Sequence, residues 1–326
     1  MQKRILSGMR PTGRLHLGNY VGALENWIKL QKEYQSYHMV ADWHMLTTDL
    51  EHTEQVAKNS IEIVIDWLSA GLDPVASPFF IQSQIKEHAE LHLILSMMIT
   101  VPRLQRNPTV KEQARDLGTD NNMIYGHLGY PVLQTADILI YKADAVPVGE
   151  DQAPHVEITR ELARRFNYLY GEVFPEPETK LTQFARMPGL DTKKMSKSLN
   201  NAIYLSDQTE EINKKMMQAY TDPTRIRKTD PGHPDGCVVF AYHQKFAPES
   251  AEQVKTDCKC GKLGCVEHKR QMAQIVDRFL DPMREKREYY NTHREEVADI
   301  IEDGNTRARA VAQKTMEEVR EAMHLG

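Results

Sequence analysis

A short apolar run, Arg4-Ile5-Leu6-Ser7, passes through Gly8 and Gly13 into a segment whose apolar residues Tyr20, Val21, Leu24, Trp27 and Ile28 recur at helical spacing. A buried strand therefore runs straight into an amphipathic helix. The same grammar continues. Tyr37 to Ala41 reads as a strand, Glu54 to Ala70 as an amphipathic helix, and Phe79-Phe80-Ile81 as another strand after the Gly71-Leu72-Asp73-Pro74 turn. Strands alternating with helices predict an α/β fold, a Rossmann-like, doubly wound parallel sheet. Ligands of such sheets bind beyond the carboxyl ends of the strands, where Ser7-Gly8, Asp42 and Gln82 are expected.

At 326 residues the chain exceeds the size at which one core keeps growing, so two domains are expected. Residues 1–200 form the expected sheet domain, with a helical excursion over residues 84–125 that carries polar loops near Pro108 and Gly118 to Asn122. Beyond that the pattern is helical. Val297, Ile300 and Ile301, then Ala308, Val311, Ala312, Met316 and Val319, form stripes broken at Gly304-Asn305, so residues 201–326 are expected to make a C-terminal α-helical domain.

Two motifs carry the chemistry. In Pro11-Thr12-Gly13-Arg14-Leu15-His16-Leu17-Gly18-Asn19 the strand turns into a helix N-terminus, whose unpaired N–H groups and partial positive charge suit a phosphate. Gly18 lets the backbone approach closely, and His16 and Asn19 add side-chain donors. Taken alone, His16 could equally be a core histidine and Asn19 a helix cap. The second motif, Lys194-Met195-Ser196-Lys197-Ser198, follows Pro188-Gly189 and Lys193 and reads as a mobile cationic loop. Two lysines spaced three apart can close over a triphosphate and meet the charge that builds as pyrophosphate leaves; a solvated basic loop is the bland alternative. Together the two motifs describe a nucleotide clamp.

A third stretch, Tyr130-Pro131-Val132-Leu133-Gln134-Thr135-Ala136-Asp137-Ile138-Leu139, sets Asp137 in an apolar helical context. An ionised carboxylate there is costly unless paired or needed, so Asp137 is either a salt-bridge partner or an acceptor for a ligand N–H. It precedes Asp144-Ala145-Val146-Pro147-Val148-Gly149-Glu150-Asp151-Gln152, a strand ending in a glycine turn, and then His155, Glu157 and Arg160 on a helix.

The His16 turn and the lysine loop resemble the HIGH and KMSKS signatures of class I aminoacyl-tRNA synthetases. The Asp137 helix, the Val146 to Gln152 turn, the opening Ser7-Gly8-Met9-Arg10-Pro11-Thr12-Gly13 and the closing Lys314-Thr315-Met316-Glu317-Glu318-Val319-Arg320 narrow the resemblance to the bacterial tryptophanyl branch over essentially the whole chain. Two positions depart from that pattern: Arg10 stands where glutamine is frequent, and Gln134 replaces a methionine common beside the indole site.

The resemblance implies activation of L-tryptophan with ATP to the adenylate, then transfer to tRNA(Trp). It makes His16, Asn19, Lys194 and Lys197 the catalytic group. It assigns Arg10, Pro11, Thr12, Gly18, Asn19, Gly149, Glu150, Asp151, Met187, Lys194, Met195, Ser196, Lys197 and Ser198 to ATP. Ser7, Tyr130, Asp137 and Gln152 fall to the amino acid, with Asp137 accepting the indole N–H. Mg²⁺ on the phosphates, a homodimer with contacts in residues 84–125, and anticodon reading by the helical region are implied likewise.

Composition is consistent with this. No stretch approaches the roughly 18 uninterrupted apolar residues of a membrane span, and the N-terminus lacks a signal-peptide core, so a cytoplasmic location is expected. The net charge of -5 leaves RNA binding to local patches such as Arg225-Ile226-Arg227-Lys228.

All four cysteines, Cys237, Cys258, Cys260 and Cys265, fall within residues 237–268. In a cytosolic chain, metal binding is the more plausible use than disulfides. Some bacterial members of the family hold a [4Fe-4S] cluster on four similarly spaced cysteines. Here the last of those positions is His268, which leaves a cluster completed by Cys260, a tetrahedral Zn²⁺ on Cys237, Cys258, Cys265 and His268, or four free thiols. Two other functions fit parts of the pattern: a tyrosyl-tRNA synthetase, and an RNA-binding paralogue without catalysis.

Overall fold

The computed structural model describes residues 2–149, 152–181, 187–227 and 229–325. Five parallel strands, β1 (Arg4–Met9), β2 (Gln35–Val40), β3 (Phe79–Ile81), β4 (Ala145–Val148) and β5 (Glu178–Leu181), lie in the order β3-β2-β1-β4-β5. The order reverses between β1 and β4. That switch point is where a parallel sheet opens a crevice for ligands. The expected strands and the helix Val56–Ala70 are present, as are helices Glu87–Ser96, Val101–Gln105 and Pro108–Asp116 within the expected excursion.

Alternate strand residues feed two cores on opposite faces, as the period of two requires. Val40 and Phe79 join Leu15, Leu17, Ile63 and Trp67 on one face, while Tyr37, Met39 and Phe80 join Leu139, Val156 and Phe166 on the other. The helices after residue 209 contribute to both. Met272, Val276 and Leu280 of the helix Cys265–Thr292 fill the first core, and Ala308, Ala312, Met316 and Val319 of the helix Arg294–Met323 fill the second.

The expected break at Gly304-Asn305 is absent, because Arg294–Met323 is one continuous helix. The pair does a different job. A Cβ at Gly304 would collide with the Phe79 carbonyl, so glycine lets the helix lie against β3, and Asn305 Oδ1 accepts the Ile81 N–H at 3.0 Å. A helix-stop signature here marks close backbone approach. Arg287 on the neighbouring long helix pairs with Asp66 and Glu62, and Asp66 Oδ2 also accepts the Leu15 N–H at 2.8 Å. The late helices are thus wired to the turn that carries His16. Among the described residues no helix is long and apolar enough to cross a membrane.

Candidate active site

Local chemistry shapes the His16 turn. The Asn19 N–H donates to His16 Nδ1 at 3.2 Å and the His16 N–H donates to Asn19 Oδ1 at 3.1 Å, a reciprocal cap on the helix that begins at Leu17. An amide N–H can only donate, so Nδ1 is the unprotonated nitrogen and the neutral ring carries its proton on Nε2. Burial, helped by the charge of Lys197, lowers the His16 pKa to about 4, so the neutral form prevails near pH 7. Nε2–H of His16 and the amide NH₂ of Asn19 remain as donors. A Cβ at Gly18 would sit 3.0 Å from the His16 ring and 3.3 Å from Met195, so a side chain here would push the two motifs apart.

The lysine loop already rests on this turn. Lys197 Nζ donates to the Gly13 carbonyl at 2.8 Å and the Thr12 carbonyl at 3.0 Å, and the Gly18 N–H donates to Met195 Sδ at 3.1 Å. The buried Asn201 frames the loop from behind: its Oδ1 accepts the Ser196 N–H, and its Nδ2 donates to Asp191 and to the Lys194 carbonyl. Burial lowers the Lys197 pKa to about 8, with Asp66 pulling the other way.

These pieces border one cavity of about 1230 Å³ at the switch point. It is larger than the about 300–1,000 Å³ usual for a single ligand, enough for a nucleotide and an amino acid side by side. Of the residues expected from sequence, Ser7, Arg10, Thr12, His16, Gly18, Asn19, Tyr130, Asp137, Gly149, Gln152, Met187, Lys194, Met195, Ser196, Lys197 and Ser198 line it. Pro11 does not; it is buried behind the turn. Glu150 and Asp151 lie outside the described residues, as does Lys228 of the basic patch. Asp42 and Gln82 also miss the wall: Asp42 Oδ1 accepts the Ser83 N–H, and Gln82 turns inward to Asp137.

At the far end of the cavity Asp137, side chain 2 % exposed, accepts three hydrogen bonds. His44 Nε2 donates to Oδ2 at 2.7 Å, while Gln82 Nε2 at 2.8 Å and His88 Nδ1 at 2.7 Å both donate to Oδ1. Burial alone would raise its pKa, but the hydrogen bonds from His44 and His88 hold the carboxyl well below the usual carboxylate range. Tyr130 shares a hydrogen bond of 2.8 Å with His155. Lys193 of the basic loop and Trp27 of the first helix also line the cavity, as do His44, Thr47 and Gln113, which carried no signal in the sequence.

Among the described residues, the cavity lining carries four cationic side chains, Arg10, Lys193, Lys194 and Lys197, against one carboxylate, Asp137, which is already engaged. Such a wall suits a polyphosphate.

The cysteine segment lies elsewhere. Cys237, Cys258, Cys265 and His268 border a second cavity of about 180 Å³, whereas Cys260 is exposed and outside it and would have to turn inward to join them. Arg225 Nη1 donates to Cys265 Sγ at 3.5 Å, and His268 Nε2 is engaged with His243 Nδ1 at 3.1 Å. As they stand, no three His, Cys, Asp or Glu side chains among the described residues are placed to hold a metal ion, and the segment does not fit one without rearrangement.

Known proteins similar to this chain point the same way. Residues 2–281 match the family described as tRNA synthetases class I (W and Y). The tryptophan--tRNA ligase of Thermotoga maritima is 49% identical over 325 residues, covering 99% of each chain, and that of Aquifex aeolicus is 42% identical, covering 99% of this chain and all of the relative. The crystal structure of the Campylobacter jejuni tryptophanyl-tRNA synthetase complexed with ADP and tryptophan superposes with a TM-score of 0.89 at 32% identity, covering 99% of this chain and 100% of that one. With the His16 turn and the lysine loop facing each other across the same crevice, the chain belongs to the class I tRNA synthetases of the tryptophan and tyrosine family.

Proposed function

We propose that the chain is a tryptophan--tRNA ligase, and that the cavity at the switch point carries both substrates. What supports this reading is a single opposition: a buried, ionised acceptor at Asp137 and a cluster of donors and cations at His16, Asn19, Lys194 and Lys197, all bordering one space. The relatives' names and the tryptophan and ADP of the Campylobacter jejuni structure point to the same pair of ligands.

The indole N–H donates to Asp137, and Gln152 and Tyr130 border the amino acid. The triphosphate lies along the His16 turn and the lysine loop. The carboxylate of tryptophan attacks the α-phosphorus in line and pyrophosphate leaves; no side-chain nucleophile is needed, so positioning and charge stabilisation carry the rate. His16 Nε2–H and the Asn19 amide donate to phosphate oxygens, while Lys194 and Lys197 meet the charge that grows on the leaving group. Mg²⁺ bound to the phosphates supplies further charge neutralisation. For Lys197 to act, it must leave the Thr12 and Gly13 carbonyls. The acyl group then passes to the terminal ribose of tRNA(Trp), and the helices after residue 209 read the anticodon.

A cytoplasmic homodimer belongs to the same proposal. Leu93, Met97, Val101, Leu117 and Tyr125 are exposed apolar side chains within residues 84–125, the segment expected to make dimer contacts. For the cysteine segment the proposal is a structural metal on Cys237, Cys258 and Cys265, either Zn²⁺ completed by His268 or a [4Fe-4S] cluster completed by Cys260, and either requires Arg225 to swing off Cys258 and Cys265. Metal analysis of anaerobically purified protein decides it: stoichiometric zinc, or iron with sulfide, supports the centre, and metal-free protein overturns it.

Amino-acid-dependent ATP–pyrophosphate exchange tests the main reading. Exchange with tryptophan and none with tyrosine is expected. The reverse result would move the chain to the tyrosyl branch, and no exchange with either would leave a non-catalytic protein.

A further inference from the structure

Asp137 does not act alone, and the groups behind it carry an inference that rests on the tryptophan reading. His88 is fully buried and stands between two partners: Nδ1 faces Asp137 Oδ1 at 2.7 Å and Nε2 faces the Tyr141 hydroxyl at 2.8 Å. The protons in this chain are determined by chemistry. An ionised carboxylate can only accept, so His88 Nδ1 carries the hydrogen, and in the neutral ring Nε2 then accepts from the Tyr141 O–H. Tyr141, itself fully buried and stacked on Tyr37 at 4.8 Å, keeps that hydrogen at any working pH.

The two carboxylate oxygens differ as a result. Oδ1 accepts from both Gln82 and His88, neither of which borders the cavity, so it is used up from behind. Oδ2 accepts only from His44, which does border the cavity, and so it keeps a lone pair toward the ligand.

We propose that His88 and Tyr141 are specificity-determining positioning residues: the Tyr141–His88 relay locks Asp137 as an ionised, acceptor-only group with Oδ2 turned to the cavity, and thereby selects an aromatic ring bearing an N–H. Without the relay, Oδ1 loses one of its two interior donors, and the carboxyl is free to rotate or to take up a proton. In either event the preference for a ring N–H over an isosteric ring atom falls. Ring shape and stacking would still be recognised.

The experiment compares L-tryptophan with β-(3-benzothienyl)-L-alanine, which has sulfur in place of the indole N–H, in ATP–pyrophosphate exchange by the full chain. In His88→Leu the KM for tryptophan should rise about tenfold, the scale of one buried hydrogen bond. The KM for the sulfur analogue, the kcat for either and the KM for ATP should stay within about twofold. Tyr141→Phe, which deletes only the hydroxyl, should show the same selective loss at about threefold. His88→Asn, whose amide can still donate toward Asp137, should recover most of the tryptophan preference. Equal KM increases for both amino acids would show that His88 only shapes the pocket, and unchanged kinetics in Tyr141→Phe would remove the relay; either overturns the proposal. Should His88→Leu fail to fold, Tyr141→Phe and His88→Asn decide by themselves. Absence of tryptophan-dependent exchange in the unmodified chain is a different failure: it overturns the substrate reading, and the lock falls with it.

Discussion

The two ends of the cavity are built on opposite principles. Around Asp137 every participant sits on a helix or at a strand end, the side chains are buried except that of His44 at the cavity wall, and three donors hold one carboxylate. Around Lys197 the partners are two backbone carbonyls of a turn, and the lysine is carried by a loop whose frame is mainly Asn201. The first arrangement resists change because breaking any one bond leaves a buried polar group unpaired. The second yields easily, since Thr12 and Gly13 can turn to solvent while a phosphate takes their place. On the proposed reading, recognition is prepared before the substrate arrives, and charge stabilisation falls to a lysine that must first release Thr12 and Gly13.

Removing the moving part should give the largest effect. Lys197→Ala should lower kcat for tryptophan-dependent pyrophosphate exchange about a hundredfold or more, the size of losing one donor to developing charge. The KM for ATP should change far less, because the interaction strengthens late. Equal losses in both would make Lys197 a ground-state phosphate ligand and erase the contrast between the ends.

At the rigid end the loss should appear in binding. Asp137→Ala leaves an indole N–H without a partner, which costs about 1 to 3 kcal/mol, so the KM for tryptophan should rise from several-fold to above a hundredfold while the KM for ATP holds. Tryptophan kinetics that ignore this substitution would sink the acceptor role of Asp137.

A smaller, graded effect should follow pH. Lys197 is charged below its pKa, which burial has lowered to about 8, and is neutral above it. In the free enzyme kcat/KM for ATP should therefore decline as the pH rises through about 8. Bound triphosphate favours the ammonium form, so the limb in kcat should lie at higher pH. Lys197→Arg should be slower overall but flat across that range, because a guanidinium stays charged. An unshifted alkaline limb in Lys197→Arg would assign the titration to another group.

The smallest kinetic effect belongs to the frame behind both ends. Gly304→Ala drives a methyl against the Phe79 carbonyl and should destabilise the fold by about 1–3 kcal/mol, seen as a lower Tm, with exchange kinetics near those of the unmodified chain at temperatures where it is folded. An unchanged Tm would mean that the helix Arg294–Met323 can shift off β3 at little cost.

Much of this was legible along the chain. The strands at Arg4 and Phe79 and the helix ending at Ala70 followed from apolar period and from glycine and proline punctuation, which act over a few residues. The His16 turn, the lysine loop and Asp137 were readable for a related reason: each is a cluster of chemically costly residues in a short window. The Gly304-Asn305 pair misled, because a glycine that ends a helix and a glycine that admits a neighbouring strand look alike until the neighbour is known. Pro11, in the same motif as His16, is buried and does not border the cavity.

What the sequence determined by itself was most of the early strands and helices and many of the residues that border the cavity, since local period and local chemistry need no partner. Only the tertiary structure decided how those groups are held. His88 reaches Asp137 from a separate helix, Tyr141 closes the chain behind it, and Arg287 ties the last helices to the His16 turn through Asp66, which takes the Leu15 N–H. Each of these pairings joins residues of different elements, and a hydrogen bond depends on distance in space, which separation along the chain does not encode.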